Sequence, residues 1–152
     1  MPAYPSYQPA RSGSRAYQQI GLETEVLGAS PQRLISLLLR AALRAIRQAR
    51  HHMQRNEPQA RGMALSRAIE ILESGLKASV DTERGGEVAR SLNASYELII
   101  RHLMLANLRN SAEHLDTAEQ ALGPIAQAWH SAIDPDYQGL APLLETPSGE
   151  PT

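Results

Sequence analysis

Apolar residues recur at steps of three and four through most of the chain, which is typical of helices that bury one side in a shared core. The spacing predicts helices at residues 31–54, 58–79, 86–109 and 111–133. The predicted inward positions, helix by helix, are Ile35, Leu39, Ala42, Ile46, Ala49 and Met53; Leu65, Ile69, Leu72 and Leu76; Leu92, Tyr96, Ile99, Leu103 and Ala106; and Leu115, Ala118, Leu122, Ile125, Trp129 and Ile133.

Connections of roughly two to eight residues join these stretches, and links this short favour antiparallel neighbours. The predicted fold class is therefore all-α, an antiparallel up-down-up-down four-helix bundle over residues 30–133. Pro124 falls inside the last helix, where we expect a bend because the apolar register continues through it.

The helix boundaries carry their own signals. Ser30 before Pro31 predicts a start, because Ser accepts hydrogen bonds from free N–H groups and Pro loses none at that position. Two capping boxes are predicted from an Asn followed three residues later by a Gln or Glu. These pairs are Asn56 with Gln59 and Asn110 with Glu113.

The two ends of the chain differ in composition from the bundle. Residues 1–15 hold three Pro and no periodicity, which predicts a disordered leader. Residues 16–29 are weakly apolar and are predicted to form a strap or short helix held by Tyr17 and Ile20. Residues 134–152 hold four Pro and are predicted to be a flexible tail.

The third helix carries apolar residues on its back as well as on its inward side. Ala94, Leu98, Leu105 and Leu108 lie opposite the inward stripe, with Arg101 among them. At 152 residues the chain is too short to surround such a helix comfortably with its own core. We therefore expect the back of this helix to be a docking surface for another molecule.

Two further sets are weaker candidates for outward apolar surface. A line of small residues runs beside the inward side of the second helix, at Ala64, Ala68, Ile71, Gly75 and Ala78. It predicts close approach of another helix, either a partner's or a neighbour in the same bundle. Leu37 projects among the polar residues of the first helix, where it either docks a partner or packs within the chain.

Composition excludes several classes. The chain has no Cys, so it has neither disulfides nor thiolate chemistry. No apolar run approaches the ~20 residues of a membrane span, and the N-terminus lacks the apolar region of a secretory signal. Residues 1–56 carry eight Arg against two acids, whereas residues 57–152 carry seven basic residues against fourteen acids.

No motif indicates catalysis or a cofactor. The five His include no Glu-x-x-His motif, and His51 and His52 diverge around their helix, so no metal site is expected. Arg33, Arg40 and Arg47, with Arg44, form a basic stripe on the first helix. Such a stripe is one signature of nucleic-acid binding, but a solvated helix face accounts for it and no nucleic-acid partner is expected.

Several short segments, in this order and at this spacing, resemble the FliS family of flagellin-specific export chaperones over roughly residues 14–133. The segments are Ala16-Tyr17, Ala29-Ser30-Pro31 with Leu34-Ile35, residues 64–69 and 75–78, Gly85-Gly86-Glu87, Leu92, Tyr96, residues 106–110 and Ala128-Trp129.

The resemblance implies a cytoplasmic, non-enzymatic helical bundle that binds the disordered C-terminal segment of flagellin. The segment folds partly into helices as it wraps the bundle, which prevents premature polymerisation, and the complex is delivered to the cytoplasmic domain of the type III export gate. It also implies that the leader Tyr, here Tyr17, takes part in or guards the binding surface. Exposed apolar lines further suggest a monomer or weak homodimer.

Two other functions remain open at this point. One is a regulatory adaptor whose bundle binds a folded partner or a co-chaperone through the same helix. The other is a nucleic-acid-binding bundle that uses the Arg stripe of the first helix.

Overall fold

The structure, a computed structural model, describes residues 28–145, and every regular element in that range is helical. The long helices are α1 (Pro31–Gln54), α2 (Pro58–Glu70), α3 (Gly86–Arg109) and α4 (Ala112–Ala132). A π-helical turn, Ile71–Leu76, and a 3-10 turn, Lys77–Ser79, continue α2, and a 3-10 turn at Gln138–Leu140 precedes the short α5 (Ala141–Leu144).

The four long helices pack side by side. Helix α1 lies between α2 and α4, and α3 contacts both α4 and α2. Arg61, near the start of α2, donates to Asn107 and Asn110 at the end of α3. Arg33, near the start of α1, pairs with Asp134 beyond the end of α4. In both pairs, therefore, the beginning of one helix meets the end of the other.

One contiguous core runs between the helices. The predicted inward residues of α1, α2 and α3 are buried in it or packed against it, which confirms that part of the prediction. On α4 the predicted inward residues Leu115, Ala118 and Leu122 are fully buried, Ile125 and Trp129 are half-buried against the core, and Ile133 is 47% exposed. The prediction that Ile133 belongs to the core is wrong, because α4 ends at Ala132.

Helix ends follow the predicted chemistry at one boundary and depart from it at two. The Ser30 hydroxyl accepts from the Arg33 N–H at 3.1 Å, with Pro31 in the first turn, as predicted. Asn56 and Asn110 do not form capping boxes. Both have positive φ, 56° and 50°, and they follow the ends of α1 and α3. Asn tolerates this left-handed conformation well, so each residue terminates a helix rather than starting the next.

The N-cap residues of α2 and α4 are instead the residues that directly follow Asn56 and Asn110. The N-cap of α2 is Glu57, whose side chain makes no capping hydrogen bond, and that of α4 is Ser111, whose hydroxyl accepts from the His114 N–H at 3.2 Å. Helix α4 then runs through Pro124 without a break.

The tail after Asp134 departs from the expectation of a flexible segment. Residues 138–144 form a 3-10 turn and α5, and Leu140 is fully buried in the common core. The four Pro of residues 134–152 predicted disorder. Leu140, Leu143 and Leu144 instead pack against the core, because α1 and α4 present an apolar face that these side chains cover. No helix within residues 28–145 combines the length and apolar character needed to cross a bilayer.

Close packing of α2 on α1 occurs at Gly75. A Cβ added at Gly75 would lie 3.0 Å from both methyl carbons of Leu38, which is itself buried. A Cβ at Gly62, in the first half of α2, would make ordinary contacts at 3.8 Å with the Asn107 side chain. Gly75 is therefore tightly packed against Leu38, whereas Gly62 has room for a Cβ atom.

We predict that Gly75→Ala lowers the free energy of unfolding by about 1 kcal/mol, because overpacking a core outweighs the better helix propensity of Ala. Gly62→Ala is the matched control, and it should raise stability by up to about 1 kcal/mol. Urea unfolding followed by circular dichroism measures both. Equal stabilisation by the two substitutions would show that Leu38 has room to move.

Candidate functional site

The outer face of α3, defined as Ala94, Leu98, Arg101, Leu105 and Leu108, is open to solvent. Leu98 is 51% exposed and Leu108 is 79% exposed, while Leu105 is half-buried. Single exposed apolar residues are ordinary, but several on one helix face form a patch of the kind that marks an interaction site. The outer face of α3 is the part of the predicted site that the structure leaves exposed to solvent.

Helical periodicity puts these residues outside because the opposite side of α3 fills the core. Ile99, Leu103 and Ala106 are fully buried, and Tyr96 is nearly so. Burial raises the pKa of Tyr96 to about 12, so its phenol stays neutral at physiological pH. The inward side of α3 is covered by the core. No described residues of this chain form a further layer over Leu98 and Leu108.

Met104 and Met63 extend the exposed apolar surface beside Leu108, and sequence reasoning had not selected them. Both side chains are more than half exposed. Met63 lies on α2 next to Gly62, which approaches Asn107 of α3. Met side chains are flexible and polarizable, and they adapt to apolar partners of varied shape. The signal for Met104 was available, since it lies one turn before Leu108.

Most of the small-residue line of α2 is not an outer surface, although Ala78 at its end is exposed. Ala68 and Ile71 are fully buried and Ala64 is 8% exposed, all within the common core. The helix that these small residues allow to approach is α1 of the same chain, as the contact of Gly75 with Leu38 shows. The expectation of an exposed line is therefore corrected in favour of packing inside the chain.

Leu37 is also buried, with 3% of its surface exposed. It lies between Arg33 and Arg40 on α1, and both of these arginines hold Tyr137 from the C-terminal region. Of the two alternatives for Leu37, a partner contact and packing within the chain, the structure supports packing within the chain, and the assignment of Leu37 to a partner-binding surface is corrected. Tyr17 and Ile20, the remaining predicted site residues, lie outside the described range.

An apolar groove, which we call the α3–α4 groove, opens where the first half of α3 and the last half of α4 meet the first half of α1 and the segment that follows α2. Its volume is about 610 Å3. Val88 at its rim is 80% exposed, and Ile133 is the other exposed apolar residue there. Its principal lining residues are Val88, Leu92, Tyr96, Ile125, Trp129 and Ile133. Sequence reasoning assigned most of these to the core, and it missed the groove because burial depends on what stands opposite.

A buried polar network anchors one wall of this groove. The Ser36 hydroxyl, fully buried on α1, accepts from Trp129 Nε1–H at 3.0 Å and donates to Asp134 Oδ2 at 2.7 Å. Arg33 Nε–H also donates to Asp134 Oδ2, at 2.8 Å. This donation from Arg33, together with that from Ser36, lowers the pKa of the Asp134 carboxyl, although partial desolvation opposes the effect.

The basic stripe of α1 is largely engaged within the chain. Arg33 pairs with Asp134, Arg47 pairs with Glu119 of α4, and Arg40 donates to the Tyr137 hydroxyl. Arg50 adds pairs with Asp116 and Glu119. The carboxylates that pair with Arg33, Arg47 and Arg50 neutralise these charges, which therefore offer little to nucleic-acid phosphates. The structure therefore gives no support to a nucleic-acid interface on α1.

Two histidines meet at the seam of α3 and α4. His102 Nδ1 and His114 Nδ1 are 3.0 Å apart, so one imidazole donates to the other. The two residues lie on different helices, His114 in the first turn of α4, so spacing along one helix does not predict that they meet. Across residues 28–145, no group of three or more His, Asp or Glu side chains is placed to hold a metal ion.

Comparison with known proteins gives a consistent result. The profile of the family described as "Flagellar protein FliS" matches residues 13–136. The Flagellar secretion chaperone FliS of Salmonella typhimurium is 44% identical over 118 residues, which cover 78% of this chain and 87% of that protein. The protein of the same name from Escherichia coli is 40% identical over 124 residues, covering 82% and 91%. The Flagellar secretion chaperone FliSB of Pseudomonas aeruginosa is 37% identical over 120 residues, covering 79% and 94%.

The Asp134 network makes stability depend on pH in a defined direction. Because its pKa is lowered on folding, the Asp134 contribution is fully present above about pH 4, the ordinary carboxyl value, and is lost as the pH falls through the lowered pKa. At neutral pH, Asp134→Asn should cost about 1–2 kcal/mol, as expected for a hydrogen-bonded charge.

Urea unfolding of both proteins from neutral to acidic pH measures this difference, which should shrink towards zero at the most acidic pH. Asp136→Asn, which alters an exposed carboxylate nearby, is the control and should have little effect. A difference that is independent of pH would contradict the assignment to the Asp134 carboxylate.

Proposed function

Because this chain belongs to the FliS family of flagellar secretion chaperones, we propose that it binds the disordered C-terminal segment of flagellin, prevents premature polymerisation and delivers the client to the flagellar type III export gate. The observation that carries the proposal is the exposed outer face of α3, where Leu98 and Leu108 are in solvent. An amphipathic segment that folds on binding needs such an apolar line on a preformed scaffold.

The scaffold of this proposal is the antiparallel up-down-up-down bundle. The meeting of helix beginnings with helix ends, at Arg61 with Asn107 and at Arg33 with Asp134, supports that topology. Because the scaffold is already folded, only the client loses conformational entropy on binding. This loss lowers the affinity, so that a large interface remains reversible. Such a balance suits a chaperone that must release its cargo at the export gate.

The client segment in this proposal lies along the outer face of α3 and reaches into the α3–α4 groove. Leu98 and Leu105, one heptad apart, mark the helix edge that continues towards α4. Tyr17 and Ile20, by family resemblance, contribute from the leader. The protein acts in the cytoplasm, as a monomer or weak homodimer whose exposed apolar face is covered when the client binds.

The competing function, an adaptor for a folded partner, uses the same exposed face. It differs in what the surface recognises, since a folded partner presents a preformed patch whereas flagellin's segment orders on binding. Calorimetry with a synthetic flagellin C-terminal segment distinguishes them. A folding client gives a large negative heat-capacity change and an increase in helical signal. Absence of binding by the isolated segment would overturn the proposal.

We predict that Leu98→Asp or Leu105→Asp weakens binding of the flagellin segment by about tenfold or more, because a charge must then be desolvated at an apolar contact. Gln48→Asp, which adds the same charge at an exposed position of α1, is the matched control and should leave affinity unchanged. Circular dichroism should show the same helicity in all three variants. Unchanged affinity in Leu98→Asp and Leu105→Asp would remove the outer face of α3 from the site.

We also predict that deleting residues 1–29 changes client affinity without unfolding the helices, because the first described helix begins at Pro31 with its cap at Ser30. Tyr17→Ala tests the aromatic alone in the full-length chain. Both are measured by the same calorimetry, with thermal unfolding as the check on the fold. A binding isotherm identical to that of the intact protein would refute a role for the leader.

A further inference from the structure

The C-terminal strap, defined as Tyr137–Glu145, is docked on the face formed by α1 and α4. Leu140 is fully buried, and Leu143 and Leu144 pack partly buried against the same core. Arg47 of α1 donates from Nη2 to the Leu143 carbonyl oxygen at 2.8 Å. The strap begins one residue after the family match ends at residue 136.

The root of the strap is held by charge and by an aromatic contact. Asp134 accepts from Arg33 Nε and from the Ser36 hydroxyl. The Arg33 guanidinium also lies over the Tyr137 ring, 4.7 Å from its centroid, and Arg40 donates to the Tyr137 hydroxyl at 3.3 Å. A 3-10 turn and a four-residue helix are too short to be stable alone, so these anchors keep the strap folded.

The Ser36 hydroxyl links the α3–α4 groove to Asp134, and Arg33, which donates to Asp134 and lies over the Tyr137 ring, links Asp134 to the strap. Ser36 has a single proton, which it donates to the Asp134 carboxylate, and its lone pairs then accept the Trp129 indole N–H. The charged acceptor polarises the hydroxyl and strengthens the second hydrogen bond. Trp129 forms part of the groove wall, so its indole is oriented from the side on which the strap docks.

We propose that the docked C-terminal strap, acting through Asp134 and Ser36, positions the Trp129 indole and thereby sets the shape of the α3–α4 groove for an apolar client segment. The role of the groove in client binding rests on the proposed function, whereas the link from strap to indole does not. Ser36 and Asp134 are positioning residues, since they act on the groove through Trp129. When the strap is released, the indole loses its fixed orientation and the groove is no longer preorganised.

The sequence supplies a clean reporter, because Trp129 is the only tryptophan in the chain. In the full-length protein, Leu140→Asp places a charge at a fully buried position and should release the strap. Ser36→Ala removes the connecting hydroxyl while leaving the strap's apolar anchors in place. Both variants should show a changed near-ultraviolet dichroism band and greater acrylamide quenching of Trp129.

Leu115→Ala is the control for general destabilisation. It opens a cavity in the core at the first turn of α4, about 20 Å along the helix from Trp129, and should lower the unfolding midpoint without changing the tryptophan signals. Hydrogen exchange of the amides at residues 138–144 reports whether the strap is released. Should Leu140→Asp fail to fold, Ser36→Ala alone decides the result.

The inference is overturned if the strap amides exchange freely in Leu140→Asp while the Trp129 signals match those of the unaltered protein. It is also overturned if Ser36→Ala leaves those signals unchanged. These measurements need no client, so they stand even if the unaltered protein fails to bind flagellin, a result that would refute the proposed function instead.

Where the flagellin segment does bind, both variants should weaken it by about tenfold, as expected when preorganisation is lost. Altered Trp129 signals with unchanged client affinity would overturn the claim that the strap shapes the groove for its client.

Discussion

The structure depends on α3, a helix with apolar residues on two opposite faces. The fold has a single core, so only one of these faces is buried. Its inward side, with Ile99 and Leu103, is buried by the other three long helices. Its outer face has no further layer of described residues over Leu98 and Leu108. Apolar surface held in water favours association, so this face is best explained by a partner that covers it.

Apolar exposure is concentrated on one side of the molecule. The side formed by α1 and α4 is joined by the ion pairs of Arg47 and Arg50 with Glu119, and the C-terminal strap covers its apolar positions. The outer face of α3 leaves Leu98 and Leu108 exposed, and the α3–α4 groove opens at the inward residues Leu92 and Tyr96 of the same helix. This asymmetry restricts where a wrapping client gains free energy, and it separates the proposed docking surface from the surface that closes the fold.

A client that folds as it binds suits such a surface. The ordering entropy of the client offsets part of the burial of its apolar residues, so a large contact area need not give a permanent complex. The polar network at Ser36 has a related effect on the chaperone side, because it orients Trp129 through hydrogen bonds rather than by packing alone. A groove held in this way is preorganised, but its shape depends on a small number of hydrogen bonds, those of Ser36 with Trp129 and Asp134.

Sequence periodicity alone determined the four long helices, their inward stripes except at Ile133, and the outward position of Leu98 and Leu108, because these follow from the local spacing of 3.6 residues per turn. Only the tertiary structure decided that Ala68 and Ile71 face α1 and that Leu140 is buried in what had been expected to be a free tail. Burial at those positions depends on which distant segment stands opposite. A pattern along one helix states which side is apolar, but it carries no information about the neighbour that covers it.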